Sequence, residues 1–265
     1  MSLFNNLKRE IKNKKIYFIL ISIFILAYSL AIYVKIITMD EKVIMNLVST
    51  LDGQTGMAGD MACIFIYTPI IFLGVNSYIA SSEKESLIIK MKNRKNIFIS
   101  NVIFIISLSL IISLIMIVIG YGIGGIYAGG FEHLWPSNHP IYALPEFKNL
   151  DVITILKSIP IYMVMFKTFI MKVLGFCVIG FLILILKSLI NNSGILGIII
   201  MVIIFMDVNF ANGALFTKKF SLTILTWINP SSFLLNIMYL SFLLTALYLI
   251  GREIYQNKDF MSKGY

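Results

Sequence analysis

The feature that most constrains this chain is an apolar run from Asn96 to Phe131 that contains no charged side chain. A helix needs about 20 apolar residues to cross the hydrocarbon core of a bilayer. Several such runs recur along the sequence. We therefore predict an all-α integral membrane protein.

The composition of the 265 residues favours the same class. Apolar residues make up 58% and charged residues 13%, and the mean hydropathy is +0.90. A soluble chain of this size could not hide so much apolar surface in one core. The basic residues that give the net charge of +9 lie beside apolar spans and not in a soluble basic domain. We therefore expect contact with membrane lipids and no nucleic-acid partner. Cys63 and Cys177 lack metal-type spacing.

The apolar runs divide residues 1–265 into a single transmembrane domain with six predicted helices. A tight turn at Asn191–Gly194 separates the fourth and fifth spans, whose boundaries stay open by a few residues. Pro230 interrupts the last run because it lacks a backbone donor and biases Asn229 away from helix. The predicted spans cover residues 16–34, 61–80, 97–127, 167–187, 188–206 and 231–251.

The distribution of basic residues predicts the orientation of the chain. Cytoplasmic loops are rich in Lys and Arg, and most of the 22 such residues lie on the side that holds both termini. Six spans bring both termini to one side, so we predict that both are cytoplasmic. The localisation expected from these features is a multi-pass position in a cell membrane.

The first 15 residues have the pattern of an amphipathic helix. Leu3, Leu7 and Ile11 recur at helical spacing, and the opposite face is basic. Such a helix lies in the cytoplasmic interface of the membrane. It is either a simple anchor or an elbow helix that transmits motion into the first span.

The loop after the second span predicts a short cytoplasmic helix over residues 82–92. Ser82 and Glu85 fit a capping box, and Glu83 favours the positive end of a helix. The alternative is a solvated loop held by lipid headgroups. If the helix forms, its apolar face would dock into a groove on a partner, with contacts from Leu87, Ile88 and Met91.

Three polar side chains inside or at the ends of spans are candidates for a substrate route: Asn76, Lys172 and Asp207. An ionisable group inside a membrane is a functional candidate by default, and the alternative is internal hydrogen bonding. The sequence contains no phosphate-binding loop, no H-E-x-x-H and no nucleophile elbow. His133 and His139 are a poor metal signature. We predict no catalytic residue and no metal site in this chain.

The order of these segments resembles the membrane subunits of type-2 ABC exporters, the ABC-2 permease family. The resemblance spans nearly the whole chain, although each motif alone is loose. A Gly-Thr pair that many members carry in the coupling segment is missing, and Ser86-Leu87 stands nearby. The matching segments are the N-terminal helix ending Leu7-Lys-Arg-Glu10, the acidic-to-basic stretch from Ser82 to Phe98, Asn229-Pro230, and the tail Gly251–Phe260.

The resemblance implies a separate cytoplasmic ABC ATPase that binds ATP and Mg, with no cofactor on this chain. It also implies a second permease subunit, identical or related, and a bacterial plasma membrane. The expected activity is export of a substrate such as an antimicrobial or hydrophobic peptide, a drug or a lipid, or immunity to such a peptide. Two alternatives remain: an intramembrane enzyme, and a scaffold or sensor that does not transport.

Overall fold

The computed structural model describes residues 15–38, 42–48, 59, 62–83, 94–138, 140–147, 151–210 and 215–257. Throughout these ranges the regular structure is helical, and none of it is strand. The chain is an all-α membrane protein, as its apolar runs predict. Within these described ranges, four helices are long and apolar enough to cross a bilayer: Cys63–Ser82, Lys95–Tyr127, Ile161–Leu189 and Pro230–Asn257.

The helices are numbered in chain order. The first half contains α1 (Lys15–Thr38), α2 (Ile44–Val48), a π-helical turn (Cys63–Tyr67) that leads into α3 (Thr68–Ser82), and α4 (Arg94–Tyr127). Two 3₁₀ turns follow at Pro140–Ala143 and Pro145–Phe147. The second half contains α5 (Val152–Lys157), α6 (Ile161–Leu189), α7 (Ser193–Asn209), α8 (Thr217–Phe220), α9 (Ile224–Ile228) and α10 (Pro230–Asn257).

The helix ends have local chemical causes. A proline inside a helix removes one donor and crowds the carbonyl four residues before it. The π-helical turn contains Phe65, four residues before Pro69, and ends at Tyr67. Gly129 takes a φ of 80° and ends α4, with Gly130 N–H donating to the Gly125 carbonyl at 2.9 Å, as in a Schellman motif. Asn229 is extended before Pro230 and separates α9 from α10.

Helix α6 lies at the centre of the bundle and packs against α3, α4, α7, α8 and α10. Two of its glycines allow close approach, since a Cβ on Gly175 would meet the Phe220 ring and one on Gly180 would meet Ile105 of α4. Helix α10 is peripheral and buries only Leu240, Leu247, Gly251 and Tyr255. Its other faces carry exposed apolar side chains, which is the surface a helix presents to lipid.

The structure sets the helix bounds of the fourth and fifth predicted spans. Helix α6 begins at Ile161, before the predicted residue 167, and ends at Leu189. Helix α7 begins at Ser193, where the Asn192 carboxamide accepts from the N–H groups of Gly194 and Ile195 at 2.9 and 3.2 Å. It has 17 residues and is shorter than the four spanning helices.

Candidate functional site

The predicted coupling segment joins the bundle where α3 ends, α4 begins and α10 ends. Four side chains from these helices form a continuous hydrogen-bonded chain, which we call the junction: Ser82, Glu83, Asn101 and Tyr255. Ser82, Asn101 and Tyr255 are buried, whereas Glu83 is half-buried. The junction therefore links three helices through groups that water scarcely reaches.

The hydrogen bonds of the junction run in one order across the three helices. The Ser82 hydroxyl donates to Asn101 Oδ1 at 2.8 Å and to the Ile79 carbonyl at 3.0 Å. Asn101 Nδ2 donates to the Tyr255 hydroxyl at 3.2 Å, and that hydroxyl donates to Glu83 Oε1 at 2.8 Å. A bond to a carboxylate is stronger than a neutral one, so Glu83 holds the end of α10 against the end of α3.

Aromatic packing surrounds the junction. The Phe98 ring lies 5.4 Å from Tyr255 and 5.3 Å from Tyr248, centroid to centroid. One turn deeper, Tyr78 stacks on Phe104 at 4.0 Å and shares a hydrogen bond with Ser100 at 2.8 Å. Packed rings and paired hydroxyls leave these helix ends little freedom to move separately.

Of the predicted coupling residues, the structure brings Ser82 and Glu83 into the junction. The other members of that prediction, Glu85, Leu87, Ile88 and Met91, lie outside the described residues, as do Leu3, Leu7 and Ile11 of the predicted elbow helix. The sequence analysis missed Asn101 and Tyr255. Asn101 carries a usable signal, because a carboxamide in a charge-free span usually hydrogen-bonds another helix.

Asn76 belongs to a second polar chain at the same end of the bundle. Lys187 Nζ donates to the Asn191 carbonyl at 3.1 Å and to Ser193 Oγ at 2.9 Å. Ser193 donates in turn to Asn76 Oδ1 at 3.3 Å. This chain closes the turn between α6 and α7 and attaches it to α3.

Lys172 and Asp207 converge on the short helix α8. The Asp207 carboxylate is 1% exposed and accepts four hydrogen bonds. Their donors are the backbone N–H groups of Leu215, Phe216 and Thr217 and the Thr217 hydroxyl. Lys172 is equally buried, with its Nζ 4.9 Å from the Phe220 ring centroid. Asp207 thus shapes the turn that enters α8, and Lys172 packs against the end of that helix.

The three predicted pathway residues do not form one cluster. Ser193, the partner of Asn76, and Asp207 lie at opposite ends of α7, about 21 Å apart at 1.5 Å per residue. A continuous substrate route stays a prediction. Among the described residues no group of three His, Cys, Asp or Glu side chains could hold a metal ion.

Comparison of the chain with known protein families, with curated proteins and with solved structures finds no match.

Proposed function

We propose that the chain is the membrane-spanning permease subunit of an ABC exporter, driven by ATP hydrolysis on a separate cytoplasmic subunit. Its substrate is an antimicrobial or hydrophobic peptide, a drug or a lipid that leaves the cytoplasm or the inner leaflet of a bacterial plasma membrane. The observation that carries the proposal is the junction. The segment predicted to meet the ATPase starts at residues that are hydrogen-bonded to two other helices.

In this proposal the chain has six spans and both termini are cytoplasmic. Helix α1 has 24 residues, about 36 Å of helix, and its sequence carries no charge from Ile16 to Val34. It supplies the first span. The 17 residues of α7 reach about 25 Å and supply the fifth. Two such subunits pair with two ATPases, whose bound ATP and Mg stay on the partner.

The junction explains how a push on the coupling segment would reach the spans. Displacement of Glu83 pulls on Tyr255 of α10, and displacement of Ser82 pulls on Asn101 of α4. Both helices pack against the central α6, so they would shift together against it. Rigid elements joined by buried bonds carry such a movement over distance better than a solvated loop does.

The first experiment tests the docking of the ATPase. The adjacent reading frames are searched for an ATPase, which is then co-expressed and co-purified with the chain. The double substitution Glu83→Lys and Glu85→Lys should reduce co-purification, because docking loses two carboxylates. Glu253→Lys is the matched control, since Glu253 is an exposed acid near the end of α10. Equal recovery of the ATPase with all three proteins would contradict the proposed docking segment.

The second experiment separates docking from transmission. Tyr255→Phe removes one hydroxyl and therefore two hydrogen bonds of the junction. We expect the ATPase to stay bound and ATP-dependent substrate movement in vesicles to fall. Tyr248→Phe lies two turns earlier on the same face of α10, keeps its ring against Phe98 and should leave movement unchanged. ATP hydrolysis by the isolated purified chain would overturn the whole proposal.

A further inference from the structure

At the opposite end of the bundle, three hydrogen-bond donors lie near one another with no acceptor among the described residues. They are the indole nitrogens of Trp135 and Trp227 and the ammonium of Lys167, and we call them the donor cluster. The indole rings meet edge to face with centroids 5.5 Å apart. Lys167 Nζ lies 5.7 Å from the Trp227 centroid and 5.1 Å from that of Phe233.

Within the described part of the chain, neither indole nitrogen has a hydrogen-bond partner, and both are buried. Lys167 is only 9% exposed, and its ammonium lies over the ring faces of Trp227 and Phe233. Ring faces attract a cation but accept no full hydrogen bond. Buried donors are almost always paired in native proteins, so an unpaired group calls for a ligand, a water or an ion.

The depth of the cluster in α6 matches the level of lipid phosphates. Lys167 and Lys187 are separated by about 30 Å along this helix, which equals the thickness of the hydrocarbon core. Lys187 closes the turn at the far end of α6. Lys167 therefore lies at the other boundary of the core, where indole rings also concentrate.

The surface beside the cluster is suited to acyl chains. Next to members and neighbours of the cluster in the sequence, Phe166 of α6 is 57% exposed and Leu234 of α10 is 58% exposed. Apolar side chains at this depth meet lipid tails, while the ammonium beside them meets headgroups. An occupant with a phosphate attached to acyl chains would contact both surfaces at once.

We propose that the donor cluster binds the phosphate of an anionic phospholipid headgroup. Phosphate oxygens accept hydrogen bonds from ammonium and indole donors alike. The phosphate meets Lys167 first, because protein atoms cover the indole nitrogens. A phospholipid whose headgroup carries no positive charge of its own is preferred, because the Lys167 ammonium supplies the positive charge. This proposal does not depend on transport.

Tryptophan fluorescence can test the proposal, because Trp135 and Trp227 are the two tryptophans of the sequence. The full chain is placed in nanodiscs of phosphatidylcholine, and phosphatidylglycerol with brominated acyl chains is added. Brominated phosphatidylcholine gives the background quenching. Unbrominated phosphatidylglycerol does not quench, so it reports any shift of the tryptophan emission that binding alone causes. We expect phosphatidylglycerol to bind about five times more tightly than phosphatidylcholine, as one lysine near a membrane surface predicts.

Variants identify the group responsible. Lys167→Met should abolish the preference, and Lys167→Arg should retain it, so a folding failure of the first variant leaves the second to decide. Lys218→Met removes an exposed lysine of α8 and should retain the preference. Equal quenching by the two lipids, or an unchanged preference in Lys167→Met, would overturn the proposal. An emission shift produced by inorganic phosphate alone would identify free phosphate as the source and overturn the lipid assignment.

Discussion

At the scale of single residues, Asp207 shows how a buried charge is stabilised without an ionic partner among the described residues. Three backbone N–H groups and one hydroxyl point at its carboxylate, at 2.8 to 3.2 Å. Hydrogen bonds to the charged form replace the water that burial removes. The sequence identified Asp207 as polar and close to a helix end, but its donors depend on a turn that returns to α7.

Asp207→Asn should destabilise the protein by about 1–3 kcal/mol, because the new NH₂ group faces an N–H donor that then lacks an acceptor. The midpoint of thermal unfolding in detergent measures the effect. Asn209→Ala is the control, since this exposed side chain donates only to the Phe205 carbonyl in its own helix. A midpoint equal to that of the unmodified protein would contradict the structural role of the carboxylate.

Asp151 offers a pH-dependent effect outside the spans. Hydrogen bonds from the Thr154 hydroxyl and backbone N–H lower the pKa of its carboxyl below the ordinary 3.8. Because the pKa of Asp151 is lower in the folded state, its carboxylate stabilises α5 at pH values above 3.8. This stabilisation is lost as the pH falls through the lowered pKa. The protection factors of the α5 amides, which correct for the intrinsic pH dependence of exchange, should fall between about pH 6 and about pH 2. Asp151→Asn should remove that fall, and its persistence would assign it to another group.

At the scale of elements, small residues decide how closely the helices approach the central α6. Gly175 leaves room for Phe220, and Phe220 also lies beside Lys172 and 6.4 Å from the Phe176 ring. The four-residue helix α8 is too short to be stable alone. It is held in place by α6, where Gly175 leaves room for Phe220. It is also held by Asp207, which accepts hydrogen bonds from the N–H and the hydroxyl of Thr217.

Gly175→Ala should destabilise the protein by about 1–3 kcal/mol, because the added methyl group collides with the Phe220 ring in a filled core. The control is Gly122→Ala in α4, where a Cβ meets nothing within 4 Å. That control should stabilise by up to about 1 kcal/mol through helix propensity. Thermal unfolding of both variants measures the difference, and two equal midpoints would show that Phe220 can move aside.

At the scale of the whole molecule, the junction and the polar chain of Asn76 occupy one end of the bundle. The donor cluster occupies the other end. The 29 residues of α6 extend about 43 Å, which is close to the full thickness of a bilayer with its headgroups. Polar groups thus concentrate at the two membrane boundaries. The apolar faces of α10 lie between those boundaries, where lipid or a second subunit would contact them.

The orientation proposed for the chain predicts opposite labelling at the two ends. Ile88→Cys should react with a membrane-impermeant maleimide only after permeabilisation, and Asn138→Cys should react in intact cells. The native thiols Cys63 and Cys177 are buried, so the unmodified protein supplies a low background. Reaction of position 88 from outside intact cells would overturn the predicted topology and the docking role of residues 82–92.

The sequence by itself determined the class of the protein and the approximate position of its long helices. These properties are local, because each apolar run must satisfy its own backbone hydrogen bonds within lipid. Ser82 and Glu83 were predicted as the start of a coupling helix, whereas the structure places Ser82 in the last turn of α3. Their role in a coupling helix stays a prediction.

Only the tertiary structure decided which polar groups meet. Tyr255 and Glu83 are 172 positions apart, and their contact depends on the rotation and crossing of α3 and α10. The same is true of Trp135, Trp227 and Lys167, which come from three separate segments. In an apolar span the hydropathy pattern is nearly the same on every face, so it does not specify which face of one helix meets the next. That choice is made by the fit of glycines, rings and hydroxyls in the packed bundle.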